Sequence, residues 1–145
     1  MARKAVLTEL QSLVVRNGGT VTPHQVVDFA RDPSTALHNQ FEWRNTAAAE
    51  KWRLHQARNL LRVFVEVIEN HEPPVRMFVS LGDDRNTGGG YRETAAVLRN
   101  PRRREQLLLM ALRDMDIFTT KYRALHELAD VFAAMRSVRG KRKAM

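Results

Sequence analysis

The 145-residue chain has no cysteine. That absence excludes disulfides, cysteine nucleophiles and thiolate zinc sites, and it suits a reducing compartment. No apolar run approaches the ~20 residues that a membrane span needs, so no membrane partner is expected. The start, Met1-Ala2-Arg3-Lys4, leads into polar-interrupted sequence and does not read as a signal peptide. Acid is also short: Asp and Glu number 16 against 24 Lys and Arg, a formal net charge of +8. Such an excess points to polyanionic partners, nucleic acid first and acidic protein or membrane surface next. Hydrophobic residues at 43% suffice for a modest core and exceed what a disordered chain carries.

The positive charge is clustered. Arg99, Arg102, Arg103 and Arg104 form one acid-free group, and Arg136, Arg139, Lys141, Arg142 and Lys143 form another. These nine cations exceed the whole net excess, so the remainder is near balance. A basic C-terminal stretch, residues 139–145, reads as a flexible arm that neutralises phosphates and releases counterions; the plainer alternative is a solvated, solubilising end. Cations at a helix N-terminus oppose the helix dipole, so the Arg99–Arg104 group calls for a reason of its own.

Local signals set out the elements. Leu7, Leu10, Leu13 and Val14 share one face of a helix over Lys4–Asn17, which Gly18-Gly19 ends. After an extended Thr20-Val21, Thr22-Pro23-His24-Gln25 forms a helix start with Thr22 as cap, Pro23 at the first position and Gln25 reciprocating. That helix stops near Asp32-Pro33. Leu37, Phe41 and Trp43 read as core anchors in a turn-rich stretch. A third helix starts at Asn45, with Ala48, Trp52, Leu60 and Leu61 facing inward and Arg44, Lys51, Arg53, His55, Arg58 and Asn59 available to solvent or ligand. Alternation in Val63–Ile68 and again in Val75–Leu81 predicts an antiparallel hairpin. The run Gly82–Gly90, with three consecutive glycines, reads as a linker.

Asn100 and Pro101 open the longest predicted element. Leu108, Ala111, Met115, Phe118, Tyr122, Leu125, Ala129 and Phe132 follow a 3-4 repeat, a seam that must meet another helix. Continuous from Pro101 to Arg136, the helix would span roughly 54 Å at about 1.5 Å per residue. Self-association along the seam is the expectation, and packing of the first helices on it within one chain is the alternative.

Helix, extended link, helix, helix and hairpin is the order of a winged helix-turn-helix domain. The expected fold is therefore mainly α with a small β-hairpin: a winged helix-turn-helix-like unit over 1–82, a Gly-rich linker over 83–92, a helical packing or oligomerisation region of coiled-coil type over 93–138 and the basic tail. In that architecture the third helix can enter a major groove. Arg44, Asn45, Lys51, His55, Arg58 and Asn59 supply base- and phosphate-directed chemistry, while Arg53 points elsewhere. Glu69 and Glu72 in the hairpin loop argue against a strong contact between that loop and phosphate.

Other constellations do not assemble. His24, His38, His55, His71 and His126 lack paired ligand spacing. Asp83-Asp84 has no third carboxylate nearby, Gly88-Gly89-Gly90 lacks the Gly-Lys-Ser/Thr ending of a phosphate loop, and no serine sits in a nucleophile elbow. No cofactor, metal or catalytic activity is expected.

Phe41-Glu42-Trp43, Ala47-Ala48-x-Glu50-x-x-Arg53, Gln56-Ala57-Arg58-x-Leu60, Gly89-Gly90-Tyr91 and Tyr122-x-x-Leu125-x-Glu127-Leu128 resemble an uncharacterised family of small phage- and prophage-encoded proteins. The resemblance covers roughly Leu10 to Phe132. It implies a phage or prophage origin and a bacterial cytoplasm, and it assigns no activity and no functional residue. Together with the charge it favours a non-enzymatic DNA-binding protein in phage regulation or DNA handling that oligomerises. The alternative is a protein-interaction module in phage assembly or host modulation, a small packaging subunit included, with a phage or host protein as partner.

Overall fold

The computed structural model describes residues 2–44, 46–70 and 72–143. The predicted positions Asn45 and His71 lie outside the described residues, as does the side chain of Lys143. The architecture is mainly helical, with two small antiparallel strand pairs.

Helix α1 (Ala2–Arg16) buries Val6, Leu10, Leu13 and Val14, the face its 3-4 spacing dictates. Gly18 and Gly19 end it at φ 72° and 101°, left-handed conformations that only glycine adopts without steric cost. Helix α2 (Pro23–Ala30) starts in the expected capping box. Thr22 Oγ1 accepts from Gln25 N at 3.1 Å, and Thr22 N donates to Gln25 Oε1 at 2.8 Å. A 3-10 turn (Leu37–Gln40) follows. The Glu9 carboxylate of α1 accepts from the Ala36 and Leu37 amides, both at 2.8 Å, which seats Leu37 in the core.

Helix α3 (Ala47–Val63) is capped by Thr46, whose hydroxyl accepts from Ala49 N at 3.1 Å. It packs on α2 and buries Arg53, Ala57 and Leu61. Two inward assignments are corrected here. Trp52 is 51% exposed and Ala48 is also exposed, because the buried stripe at 53, 57 and 61 turns positions 48 and 52 to the opposite side. Arg53, grouped with the available cations, is 3% exposed.

The hairpin forms but is short. Strand β1 (Val65–Glu66) pairs antiparallel with β2 (Val75–Arg76), Val65 opposite Arg76 and Glu66 opposite Val75. Past a bend at Met77 the chain continues as β3 (Phe78–Val79), which pairs instead with β4 (Arg92–Glu93). Met77 N donates to Phe64 O at 2.9 Å, and Met77 O accepts from Thr94 N at 2.8 Å, so this residue faces a partner on each side. The expected alternation breaks there, with Met77 and Phe78 both buried.

The Gly82–Gly90 stretch, expected to be a linker, is folded. It carries helix α4 (Gly82–Asn86), and Asp84 is 6% exposed. The Asp84 carboxylate accepts a bidentate pair from Arg92, Nε to Oδ2 and Nη2 to Oδ1, both at 2.9 Å. Gly88 and Gly89 turn the chain at φ 109° and 75°. Tyr91 then exchanges backbone hydrogen bonds of 2.9 and 2.7 Å with Val21, tying this segment to the first two helices.

Helix α5 (Thr94–Arg99) leads through the cap Asn100 into α6 (Pro101–Tyr122). The continuous helix expected to Arg136 is not present. The chain breaks after Tyr122, passes a 3-10 turn (His126–Leu128) and returns as α7 (Ala129–Lys143). No proline or glycine marks the break; Leu125 leaves helical geometry at ψ 94°. The return lets the seam close on itself: the Phe118 ring meets Phe132 at 6.1 Å between centroids and Tyr122 at 5.0 Å. Leu112, which the 3-4 repeat omitted, is the buried residue of α6, while Leu108, Ala111, Leu125 and Ala129 remain exposed.

The Arg92–Asp84 pair makes a direct test of order in the Gly-rich stretch. Asp84→Ala leaves a shielded guanidinium without its partner and is expected to cost about 3–5 kcal/mol. Urea denaturation measures the loss, and limited proteolysis is expected to reveal new cleavage within residues 82–90.

Candidate nucleic-acid interface

Burial of one stripe of α3 decides what its other stripe displays. With Arg53, Ala57 and Leu61 buried, the outward positions include Lys51, Trp52, His55, Arg58, Asn59 and Arg62. All six are exposed, and none is acidic. Trp52 stacks on His55 at 5.2 Å between centroids, and the Asn59 amide nitrogen lies 3.1 Å from His55 Nε2. These contacts order three consecutive turns of the stripe around an aromatic pair.

Arg53 works on the inner side. Its Nη1 donates to the carbonyls of Glu42 and Arg44, at 2.8 and 2.9 Å, and its Nη2 donates to Glu50 Oε2 at 2.7 Å. Glu50 also accepts from Arg31 of the α2 C-cap, at 3.0 and 3.1 Å. The segment carrying Arg44, itself exposed, is thus pinned to α3 by a buried cation. The Trp43 ring lies against the same guanidinium, 5.2 Å from centroid to Cζ, and stacks flat on His38 at 4.9 Å.

The two basic clusters meet. Arg99 ends α5, and Arg102, Arg103 and Arg104 occupy the first turn of α6, where Asn100 caps Arg103 N at 3.1 Å. Because α7 returns antiparallel, its last turns lie beside that first turn. Arg142 forms an ion pair with Glu105, and Arg139 donates to Leu112 O and Asp116 Oδ2, both at 2.8 Å. The expected flexible tail is therefore helical through Lys143, and Arg139 and Arg142 are engaged within the hairpin. Arg99, Arg102, Arg103, Arg104 and Lys141 carry no ion pair among the described residues.

A cleft of about 940 Å³ separates the second half of the α3 stripe from α6. Arg58 and Arg62 flank one side, and Leu107, Met110 and Ala111 flank the other. The hairpin adds Arg76, and α4 adds Arg85. Trp52 and Arg62 were missed as members of the surface, although their spacing from Lys51, His55 and Asn59 carried the signal. Arg76 and Arg85 had no such signal, since only the long-range placement of α6 makes a cleft of their surroundings.

Comparison with protein-family models, with curated proteins and with solved structures found no match for this chain.

Hydrogen bonds from Arg53, and then from Arg31, hold the Glu50 carboxyl below its ordinary pKa against partial burial. A carboxylate depressed in the folded state adds stability above the unfolded value of about 4.3, and that stability is lost as pH falls through the folded value. Glu50→Gln is expected to be less stable than the parent at pH 7. The gap should narrow below about pH 4, as measured by urea midpoints at several pH values.

Proposed function

We propose that the protein is a non-enzymatic nucleic-acid-binding protein, with DNA as its partner and α3 as the element that grips it. The observation that carries this reading is the outward stripe of α3, exposed, cationic and free of acid along its length. Arginine and lysine neutralise phosphates and release counterions, and Asn59 adds an amide suited to a base edge. Helices α1 to α3 followed by the β1–β2 hairpin support a winged helix-turn-helix arrangement, in which the third helix is the one presented to DNA. The hairpin loop bears Glu69 and Glu72, so the weight of phosphate contact falls on α3 and on the joined clusters at the α6–α7 end. The resemblance of the Phe41–Leu60 motifs supports a phage or prophage setting in a bacterial cytoplasm, with regulation or DNA handling as the task.

Self-association belongs to the same proposal. Closing the α6–α7 hairpin leaves Leu108, Ile117 and Leu125 exposed at 40%, 64% and 46%. A second copy covering these side chains would multiply weak DNA contacts through effective concentration. The same side chains support the second reading, a docking module for a phage or host protein in assembly or packaging.

Two measurements test the proposal. Binding of a random duplex, followed by anisotropy against salt, is expected to fall with a steep log-log slope. Arg44, Lys51 and Arg58 changed together to alanine should flatten the slope by up to ~3 phosphate equivalents while leaving the circular dichroism spectrum intact. No binding of any nucleic acid at low salt overturns the reading. Sedimentation at micromolar concentration is expected to show an oligomer that Leu108→Glu with Ile117→Glu dissociates; a monomeric parent chain removes the self-association.

A further inference from the structure

The α3 stripe changes surroundings along its length. Lys51, Trp52 and His55 stand at the open end, whereas Arg58 and Arg62 flank the cleft against α6. A phosphate backbone following the stripe is led from an aromatic pair into that cleft. The cleft, at about 940 Å³, has the size of an ordinary small-ligand pocket and does not take in a duplex. Its lining is two-sided in chemistry. Arg58, Arg62, Arg76 and Arg85 carry no ion pair among the described residues, while Leu98, Leu107, Met110 and the half-buried Tyr91 offer apolar and aromatic surface. Three carboxylates share the lining: Glu69 and Glu72 from the hairpin loop and Asp114 from α6. They leave the arginine side as the place for phosphates.

A cationic track joined to aromatic platforms is the chemistry that holds single-stranded nucleic acid, where phosphates meet the cations and unstacked bases meet the rings. We propose that the preferred ligand is a single strand, or an unpaired segment, that stacks on Trp52 and His55 and threads its next nucleotides between Arg58, Arg62 and α6. This inference rests on the nucleic-acid reading above and narrows it to a class of strand.

The test uses the full chain and two fluorescein-labelled probes at low salt, a 15-nucleotide thymidine strand and a blunt 15-base-pair random duplex. The strand is expected to bind at least tenfold more tightly than the duplex. Trp52→Ala, at an exposed position, should weaken strand binding by about tenfold. Ala111→Glu, exposed on α6 and lining the cleft, places a negative charge in the strand's path and should remove the preference by weakening strand binding more than duplex binding. A duplex bound as tightly as the strand, or more so, overturns this inference and leaves the nucleic-acid reading standing. So does a preference that survives Ala111→Glu in a variant whose circular dichroism matches the parent. Failure of both probes to bind overturns both.

Discussion

The Arg53 guanidinium is the contact on which the arrangement of α3 depends. It is the one charged group on the inner stripe of that helix, and it is saturated from three directions: two backbone carbonyls of the preceding segment and the Glu50 carboxylate. A buried arginine tolerates that position because each of its guanidinium nitrogens finds an acceptor. The result is orientational. With Arg53 drawn inward beside Ala57 and Leu61, helical periodicity leaves Lys51, Trp52, His55, Arg58, Asn59 and Arg62 no place but outside. The cationic surface is thus a geometric consequence of an interior salt bridge rather than an accumulation of surface charge.

Three further ion pairs extend the same logic. Arg92 and Asp84 convert a glycine-rich run into ordered structure and bring Tyr91 against Val21. Arg139 and Arg142, paired with Asp116 and Glu105, lay α7 along α6 and bring the last basic residues beside the first turn of α6. Three like-charged arginines in a helix's first turn oppose its dipole, and α7 adds Lys141 to the same end. Cations gathered at one end against the helix dipole are consistent with the proposed polyanion contact.

What could be read from the amino-acid order follows the range of the interaction. Thr22, Pro23 and Gln25 act within one helical turn, and Gly18 and Gly19 act on their own backbone, so the start of α2 and the end of α1 were legible. The hairpin was legible from β-branched residues, but its change of partner at Met77 was not, because β4 lies beyond the whole glycine-rich segment. Glycines at 88–90 look alike whether they sit in a tether or a tight turn; the difference lies in Arg92 reaching back to Asp84. The 3-4 repeat runs unbroken across Tyr122–Ala129, and no residue there forbids helix. Phe132 meeting Phe118, with Arg139 and Arg142 reaching Asp116 and Glu105, favours the fold-back. For the candidate interface, the cations of α3 were legible from spacing, whereas the inward turn of Arg53 and the cleft facing α6 depend on tertiary contacts.

One stretch of chain serves both small sheets. Residues 75–76 bond to β1 of the hairpin, residues 78–79 bond to β4, and Met77 holds a backbone bond on each side. Immediately after β4 the chain enters α5 and then α6. Met77 therefore couples the two sheets: loss of either pairing strips one of the two backbone bonds that seat this residue between Phe64 and Thr94.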